Sequence, residues 1–496
     1  MILSSSRSRV YFRPLVTLIV VGLWVALIAI LCKDRFVPTQ TDLADALHLS
    51  QVESEDWFLI RIRGAYAGFG RSRQYAASDG WTVRDDLNIA LNLQGQVKPI
   101  RIVNESTVDD QFRLVSFRLK VSSGVSLFEQ KGRMVGRNLV LEIPKSQGGG
   151  TKTIKLYEAP RMSRSLGLPL PLTGLEVGND FRVPIFDPLD GHRWEAEIKV
   201  LEKANLDVGG TKKEAWRVRA TFRTVEVVMW VDEQGKLLRG LMPLGITVIR
   251  SDKDEVAREM RGAGDLPDLA FSAAVPVEGS VPEGGTLRSL RLKVESKSAV
   301  EIPSDDYRQK LEHGEILLRK EELPESTYSL PNTDAAMEQY LKSSIFIKSD
   351  NETIIKTARK IVGDEKDPIK AARLITEWVY KNIKKVPTPS VPDAHTVLIN
   401  KQGDCNDHAV LAASLARAVG LPSQVVVGLV YFDGSFYYHA WVTYWAGKRW
   451  FTADPLMNLL PVDPTHLALV YGDVDKHLNV LSFLGQLKFK VVEAKL

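Results

Sequence analysis

The sequence predicts an α+β protein in which a region of antiparallel strands precedes a region of mixed helices and strands, behind an N-terminal transmembrane helix. Three observations predict this order: an uncharged apolar stretch near the N-terminus, alternating apolar and polar residues through the first half, and helical spacing followed by strong strand patterns near the C-terminus. At 496 residues the chain exceeds the length that one core usually supports. We therefore expect four segments, residues 1–33, 34–265, 266–330 and 331–496.

The first segment contains 18 consecutive uncharged residues, Leu15–Cys32, which is close to the minimum for a helix that crosses a bilayer. Arginines precede this stretch, whereas acidic residues dilute the basic residues after it, so the positive-inside tendency keeps the N-terminus in the cytoplasm. We expect a retained membrane anchor with the rest of the chain on the extracytoplasmic, periplasmic side. A cleaved signal peptide is the alternative.

The bulk composition predicts folded domains, because 44% of the residues are hydrophobic and 25% are charged. Lys and Arg total 65 against 61 for Asp and Glu, without a long run of either sign, so we expect no nucleic-acid partner. The chain has two cysteines, and Cys32 lies at the edge of the apolar stretch. Cys405 is then left without a disulfide partner, either as a functional thiol or as an inert buried residue.

Residues 34–265 are expected to form an all-β domain. Runs such as Phe58–Arg63 and Ala215–Phe222 alternate in polarity, as half-buried antiparallel strands do, and glycine-rich turns separate them. The curved sheet that this predicts resembles the half-barrels of periplasmic lipid or lipoprotein carriers in a generic way. Residues 266–330 are rich in Pro, Gly, Ser and charge, which indicates a linker or small joining element, although Leu287–Val294 has the pattern of a strand.

Helical spacing begins after residue 331. In Asp367–Ile383 the apolar residues recur every three to four positions, and a proline follows an aspartate suited to capping. A second helix is expected to begin at Cys405, with Asp404 as its N-cap. The positive end of the helix dipole would favour the thiolate, whereas the neighbouring carboxylates oppose it, so a basic partner is still needed.

His439 is the expected partner, because Phe436–Trp445 is a strong strand pattern and a second strand follows, ending at Asp454. With a two-residue hairpin loop, Trp445 would pair with Lys448 and His439 would lie directly opposite Asp454. A carboxylate at that distance orients the imidazole and stabilises its protonated form. A loop one residue longer would turn Asp454 to the other face of the sheet.

Three segments, Gly403–Leu411, Tyr438–Val442 and Trp450–Pro455, together resemble the signature blocks of the transglutaminase-like, papain-fold superfamily. The resemblance covers roughly residues 350–475 and implies a papain-like transglutaminase core at the C-terminus. It also implies Cys405 as nucleophile, His439 as general base and acid, and Asp454 as the residue that orients the histidine. Members of the superfamily include cross-linkers, peptidases, amidases and inactive binding modules.

Other residues near these motifs have competing interpretations. His408 is expected to face solvent or cap a neighbour rather than act as a base. Trp441 lies on the same strand face as His439, where it would shield the ion pair, line a substrate pocket or serve only as a core aromatic. Cys405, Asp407 and His408 are too few and too crowded for a standard zinc site, so we expect no metal and no cofactor.

The function that these residues predict is extracytoplasmic, thiol-dependent acyl transfer to, or hydrolysis of, amide bonds in a peptide or protein substrate. Water as acceptor would give hydrolysis and an amine would give cross-linking. The rival hypothesis is a non-catalytic peptide-binding or scaffold protein of the cell envelope. The backbone N–H of Cys405 is the natural candidate for an oxyanion donor.

Overall fold

The computed structural model describes residues 54–496 apart from gaps at 79, 94, 111–112, 124–125, 144–149, 157–174, 187–192, 209, 223–224, 234, 270–272, 283, 297–300, 306, 345, 388–392, 474–479, 481–482 and 484. The described residues fall into two compact units that divide between Asp268 and Leu269. The expected membrane helix, Leu15–Cys32, lies outside the described residues. Within the described ranges, no helix has both the length and the apolar character that crossing a bilayer requires.

The first unit is one antiparallel sheet of fourteen strands. Its strands are Ser54–Ile62 (β1), Ala65–Ala77 (β2), Gly80–Leu93 (β3), Gln96–Val108 (β4), Leu114–Ser123 (β5), Ser126–Val135 (β6), Asn138–Ile143 (β7), Gly150–Lys155 (β8), Asp180–Phe186 (β9), Arg193–Val208 (β10), Thr211–Phe222 (β11), Val225–Val231 (β12), Leu237–Met242 (β13) and Ile246–Ser251 (β14). A short helix, Lys253–Arg261 (α1), follows them. The predicted all-β region is confirmed.

Alternation of side chains explains this sheet. In β3 every second residue is buried, so one face carries the core and the other meets water. Neighbouring strands in the sheet are neighbours in the chain, with one exception: β1 pairs with β14, from Trp57 opposite Ser251 to Ile62 opposite Ile246. The end strands of the sheet are therefore β8 and β9.

The second unit contains a nine-stranded sheet and four helices. Its strands are Val275–Glu278 (β15), Ser289–Ser296 (β16), Gln309–Glu312 (β17), Glu315–Arg319 (β18), Ser423–Phe432 (β21), Ser435–Trp445 (β22), Trp450–Ala453 (β23), His466–Tyr471 (β24) and Leu487–Lys495 (β25), and a separate parallel pair joins Lys384–Lys385 (β19) to Gln402–Gly403 (β20). The helices are Glu352–Val362 (α2), Pro368–Asn382 (α3), Ala394–Asn400 (α4) and Cys405–Ala418 (α5).

The segment expected to be a linker or joining element supplies β15 to β18 to this sheet. β16 pairs with β25, the last strand of the chain, and β15 pairs with both β25 and β22. These pairings join residues that are about 160 to 210 positions apart, which local composition does not reveal. The strand pattern noticed at Leu287–Val294 corresponds to β16.

Strand β22 organises the second unit. On one edge it pairs with β21 at residues 435–444, and on the other it pairs with β15 at residues 435–436 and with β23 at residues 442–445. Residues 437–441 lie between those two partners. This stretch holds His439 and Trp441, both fully buried.

Candidate active site

Cys405 is the first residue of α5, as the sequence predicts. The Asp404 side chain accepts the backbone N–H of Asp407, and the Asp407 side chain accepts that of Asp404, so the two form a reciprocal capping box. Gly403 permits this arrangement, because a Cβ at that position would lie 2.3 Å from the Cβ of Asp407. These adjacent residues therefore determine that the helix begins at Cys405.

The sulfur of Cys405 lies against β22. The backbone N–H groups of Ala440 and Asn406 donate hydrogen bonds toward it. Because Ala440 follows His439 directly, these contacts bring the thiol next to the histidine on the strand. Cys405 has no exposed surface, and burial, followed by the charge of Asp404, holds the pKa of its thiol well above the usual value. Burial and Asp404 outweigh the two backbone hydrogen bonds, so the neutral thiol is the favoured form.

His439 and Asp454 form a buried pair. Nε2 of the imidazole lies 2.7 Å from Oδ2 of the carboxylate, and neither residue is exposed. The remaining ring nitrogen, Nδ1, is buried and has no hydrogen-bond partner among the described residues. Burial alone raises the pKa of Asp454, but the charge and hydrogen bond of His439, with further help from His466, bring it far below the usual range. Asp454 is therefore ionised.

The hairpin that brings this pair together differs from the expected one. Trp445 pairs with Trp450 rather than with Lys448, so the loop contains four residues instead of two. Val442 pairs with Ala453, and continuation of this register places Asp454 across from Trp441 and diagonal to His439. The predicted register is wrong by two residues. A shift of two keeps Asp454 on the same face, because strand side chains alternate with period two, and the side chains meet across the diagonal.

Trp441 packs beside this pair. Its ring is stacked on His439 with centroids 6.1 Å apart, and it packs in a cluster with Val426, Val462 and Ala468. The indole is fully buried, which fits a shield for the ion pair or a core aromatic. Gly428 leaves room for it, since a Cβ there would lie 2.6 Å from the indole and 2.0 Å from a backbone oxygen of β24.

His408 is buried rather than exposed to solvent. Its Nδ1 lies 2.6 Å from the carbonyl oxygen of Asp404 and its Nε2 lies 3.3 Å from that of Ile383, so the ring lies between the start of α5 and the end of α3 and, when neutral, donates to only one of the two carbonyls. Of the two expectations for this residue, the cap is correct and solvent exposure is wrong. Burial lowers its pKa to about 4, which leaves the ring neutral at physiological pH.

His466 is a residue of this site that the sequence did not suggest. It lies at the start of β24, and its Nε2 is 3.3 Å from the same oxygen of Asp454 that binds His439. The ligand atoms of His439, Asp454 and His466 lie within 4.8 Å of one another, a grouping that offers three donors to a metal ion. Structural zinc sites have four ligands, and here the carboxylate oxygen is already shared by the two imidazoles. The expected absence of a metal remains a prediction.

Comparison with known proteins finds a family match in the same part of the chain as this site. Residues 355–455 match the transglutaminase-like superfamily. This part of the chain is a transglutaminase-like domain. The matched residues include Cys405, His439 and Asp454, and exclude His466.

Similar proteins cover only parts of the chain. An uncharacterised protein of Haemophilus influenzae is 33% identical over 99 residues, which are 19% of this chain and 26% of that protein, so the match spans about a quarter of the relative's length. A solved structure of a proposed cysteine protease from Cytophaga hutchinsonii is 15% identical and covers 42% of this chain and 84% of its own, with a TM-score of 0.27. A proposed protease from Parabacteroides distasonis is 13% identical and covers 53% and 64%, with a TM-score of 0.19.

Proposed function

We propose that this protein is a thiol-dependent enzyme that acts on amide bonds of peptides or proteins, with Cys405 as nucleophile, His439 as base and acid, and Asp454 as the orienting carboxylate. One observation carries the proposal. Nε2 of His439 hydrogen-bonds Asp454, and Nδ1 has no hydrogen-bond partner among the described residues. The backbone N–H of the next residue, Ala440, donates to the sulfur of Cys405. That arrangement supports a continuous path from thiol to carboxylate.

The reaction begins with a proton transfer, because burial favours the neutral thiol. Nδ1 of His439 takes the thiol proton as the sulfur attacks the amide carbonyl, and a C–S bond forms in a tetrahedral intermediate. The imidazolium then returns its proton to the nitrogen of the departing amine, and the C–N bond breaks to leave a thioester on Cys405. Water or a second amine then attacks the thioester, with His439 again as base. The C–S bond breaks, His439 returns the proton to the sulfur, and a carboxylic acid or a new amide is released.

Asp454 supports both proton transfers. As an ionised carboxylate at 2.7 Å it accepts the Nε2–H of His439, which keeps Nδ1 as the basic nitrogen of the neutral ring. It also stabilises the imidazolium that forms after the thiol is deprotonated. Trp441 covers the pair and keeps water from it, which strengthens the electrostatic interaction between the two side chains.

The second candidate function is peptide binding without catalysis. The specific observation in its favour is the complete burial of Cys405 and His439, together with the raised pKa of the thiol. A binding domain has no need for a reactive sulfur, and a buried thiol with a high pKa is inert. The two functions differ in whether the thiol reacts when a substrate reaches it.

The deciding experiment is a screen of peptide amides, and of glutamine peptides with an added amine, against the wild-type protein and the Cys405→Ala variant. If the protein is an enzyme, wild type is expected to release product or cross-link the peptides, and Cys405→Ala is expected to do neither. Cys32→Ala is the matched control, because it removes the other cysteine and is expected to keep full activity. Binding of peptides by both wild type and Cys405→Ala, without turnover by either, would establish the binding function instead.

We also propose that the chain is anchored in a membrane by Leu15–Cys32, with its folded units outside the cytoplasm. The uncharged length of this stretch and the arginines before it support the proposal. The intact chain is then expected to sediment with membranes, whereas a chain that begins at residue 34 stays in the supernatant. Equal recovery of both in the supernatant would contradict the anchor.

A further inference from the structure

A second imidazole, besides that of His439, contacts the carboxylate of Asp454. His466 lies outside the residues that match the superfamily, yet its Nε2 is 3.3 Å from Oδ2 of Asp454 and its ring centroid is 5.8 Å from that of His439. It is fully buried. A histidine this close to the orienting acid acts on both the position and the charge of that acid.

The other nitrogen of His466 also faces a carboxylate. Its Nδ1 lies 3.4 Å from Oδ1 of Asp463, which is held in turn by the hydroxyl and backbone N–H of Thr465. An imidazole donates from both nitrogens only when it is protonated. Burial lowers the pKa of His466, but its hydrogen bonds to Asp454 and Asp463 outweigh burial and raise the pKa above the usual value. Both geometry and charge therefore favour an imidazolium between two carboxylates.

The first residue of β17 and the residue before it hold the backbone of β24 in place. Arg308, which is 1% exposed, donates from Nη2 to the carbonyl oxygen of His466. The amide of Gln309 pairs with Ala468 in both directions, with Nε2 and Oε1 each 2.8 Å from their backbone partners. Trp441 meets the ring of His466 edge to face at 5.3 Å. These contacts fix the ring against Asp454.

The charged groups around His466 come from several elements. Asp454 follows β23, Asp463 precedes β24, His439 lies on β22 and Arg308 lies before β17. Lys385 of β19 also interacts electrostatically with Asp454. Of these, Asp454 and His439 are the groups through which a charge on His466 reaches the proposed reaction.

We propose that His466 is a positioning residue of the active site, which holds the Asp454 carboxylate as a second hydrogen-bond donor and, as an imidazolium, limits how strongly that carboxylate stabilises protonated His439. The inference rests on the proposed function. A positive charge on His466 disfavours a second positive charge on His439, so it lowers the proton affinity of that base. It also favours the negative charge of the Cys405 thiolate.

The test is the pH dependence of alkylation of Cys405 by iodoacetamide in the full chain, with peptide mass spectrometry to count Cys32 separately. In wild type, the rate is expected to rise once as the base that takes the thiol proton becomes neutral, and again as the buried thiol itself ionises. His466→Gln keeps a donor toward Asp454 but removes the charge. Both transitions are then expected to move to higher pH, by up to about two units for charges about 6 Å apart at the effective dielectric of a protein site.

A purely structural role would slow alkylation without moving either transition. His466→Phe, which removes the donor as well as the charge, is expected to show the same upward shift with a lower rate, and it serves if the glutamine variant does not fold. His313→Asn is the control: His313 is exposed, and its φ of 50° suits asparagine. Melting curves establish that each variant is folded.

Two negative results have different meanings. Two transitions in wild type that stay in place in folded His466→Gln or His466→Phe would overturn the role of His466 and leave the proposed function standing. A wild-type thiol that titrates in one step, like a free cysteine, would overturn the proposed function and the role of His466 with it.

Discussion

The residue at which most contacts of the site converge is Asp454. Its Oδ2 accepts from the imidazoles of His439 and His466, and its Oδ1 accepts the backbone N–H groups of Leu456 and Met457 at 2.7 and 3.0 Å. Four donors explain how a fully buried carboxylate stays ionised. The sequence predicted one of the imidazoles, because His439 lies near the centre of one strand pattern and Asp454 ends the next. It did not predict His466, which approaches only because β24 pairs with β21.

Asp454→Asn is expected to lower turnover by about 10³- to 10⁴-fold, the range expected when a triad carboxylate is replaced by its amide. The two backbone donors hold the amide oxygen at the Oδ1 position, so the NH₂ group faces His439 and donates to Nε2. The proton of the neutral ring then lies on Nδ1, which can no longer accept the thiol proton. Steady-state kinetics measure the effect. Asp433→Asn, on an exposed turn with a φ of 44°, should retain wild-type rates.

We expect the buried His408 to make the protein less stable in mild acid. Its pKa falls from about 6.5 in the unfolded chain to about 4 in the fold. For a base whose pKa is depressed by folding, the unfolded state binds the proton first, so stability is full above pH 6.5 and falls as the pH drops toward 4. The loss is about 3 kcal/mol at the lower end. Urea unfolding at pH 7 and pH 4.5 should show that the free energy of unfolding falls less for His408→Gln than for wild type or His313→Asn. An equal fall in all three proteins would contradict this role of His408.

At the scale of elements, the helix that begins at Cys405 was predictable in detail and the hairpin after it was not. Capping depends on a few adjacent residues, and both Asp404 at α5 and Asp367 at α3 cap as expected. Hairpin register depends on the length of the loop, and the loop Ala446–Arg449 has four residues where two were expected. Sequence is a weak predictor of loop length, whereas the alternation of side chains between the two faces of a strand is a strong signal. His439 and Asp454 were therefore correctly placed on the same face although the register was wrong.

Asp404→Asn is expected to raise the alkylation rate of Cys405 at neutral pH several-fold. Asparagine keeps the cap, since its side-chain oxygen accepts the same backbone N–H, but it removes a charge that raises the pKa of the thiol. Asp367→Asn makes the matched change at the cap of α3, away from the sulfur, and should leave the rate as it is. An unchanged or lower rate in folded Asp404→Asn would show that the charge does not control the thiol.

At the scale of the whole molecule, the compact unit that contains the transglutaminase-like domain extends well before the residues that match the superfamily. The expected boundary at 331 was drawn from composition, which separates Pro- and Gly-rich segments from helical ones. Strand pairing between distant residues has no such signal: β16 pairs with β25, and Gln309 hydrogen-bonds Ala468. The compact unit accordingly begins at Leu269.

A fragment of residues 269–496 is expected to unfold in one cooperative transition, whereas a fragment of residues 331–496 is expected to lack one. The shorter fragment leaves β25 without its partners. It also leaves the carbonyl oxygens of His466 and Ala468 and the N–H of Ala468 without theirs, at a cost of about 1–3 kcal/mol for each buried group left unpaired. Circular dichroism with urea measures both. A cooperative transition of equal midpoint in the shorter fragment would show that residues 269–330 are dispensable for folding.

The order of strands in the first unit has a consequence for how it forms. Every pairing is a local hairpin except the one between β1 and β14, whose loop closure spans nearly 200 residues. Two arrays of hairpins, β1 to β8 and β9 to β14, are therefore free to assemble independently, and the slow step is the seam that unites them. Pulse-labelled hydrogen exchange during refolding should find the amides shared by β1 and β14 among the last to gain protection; early protection there would place the seam in the nucleus instead.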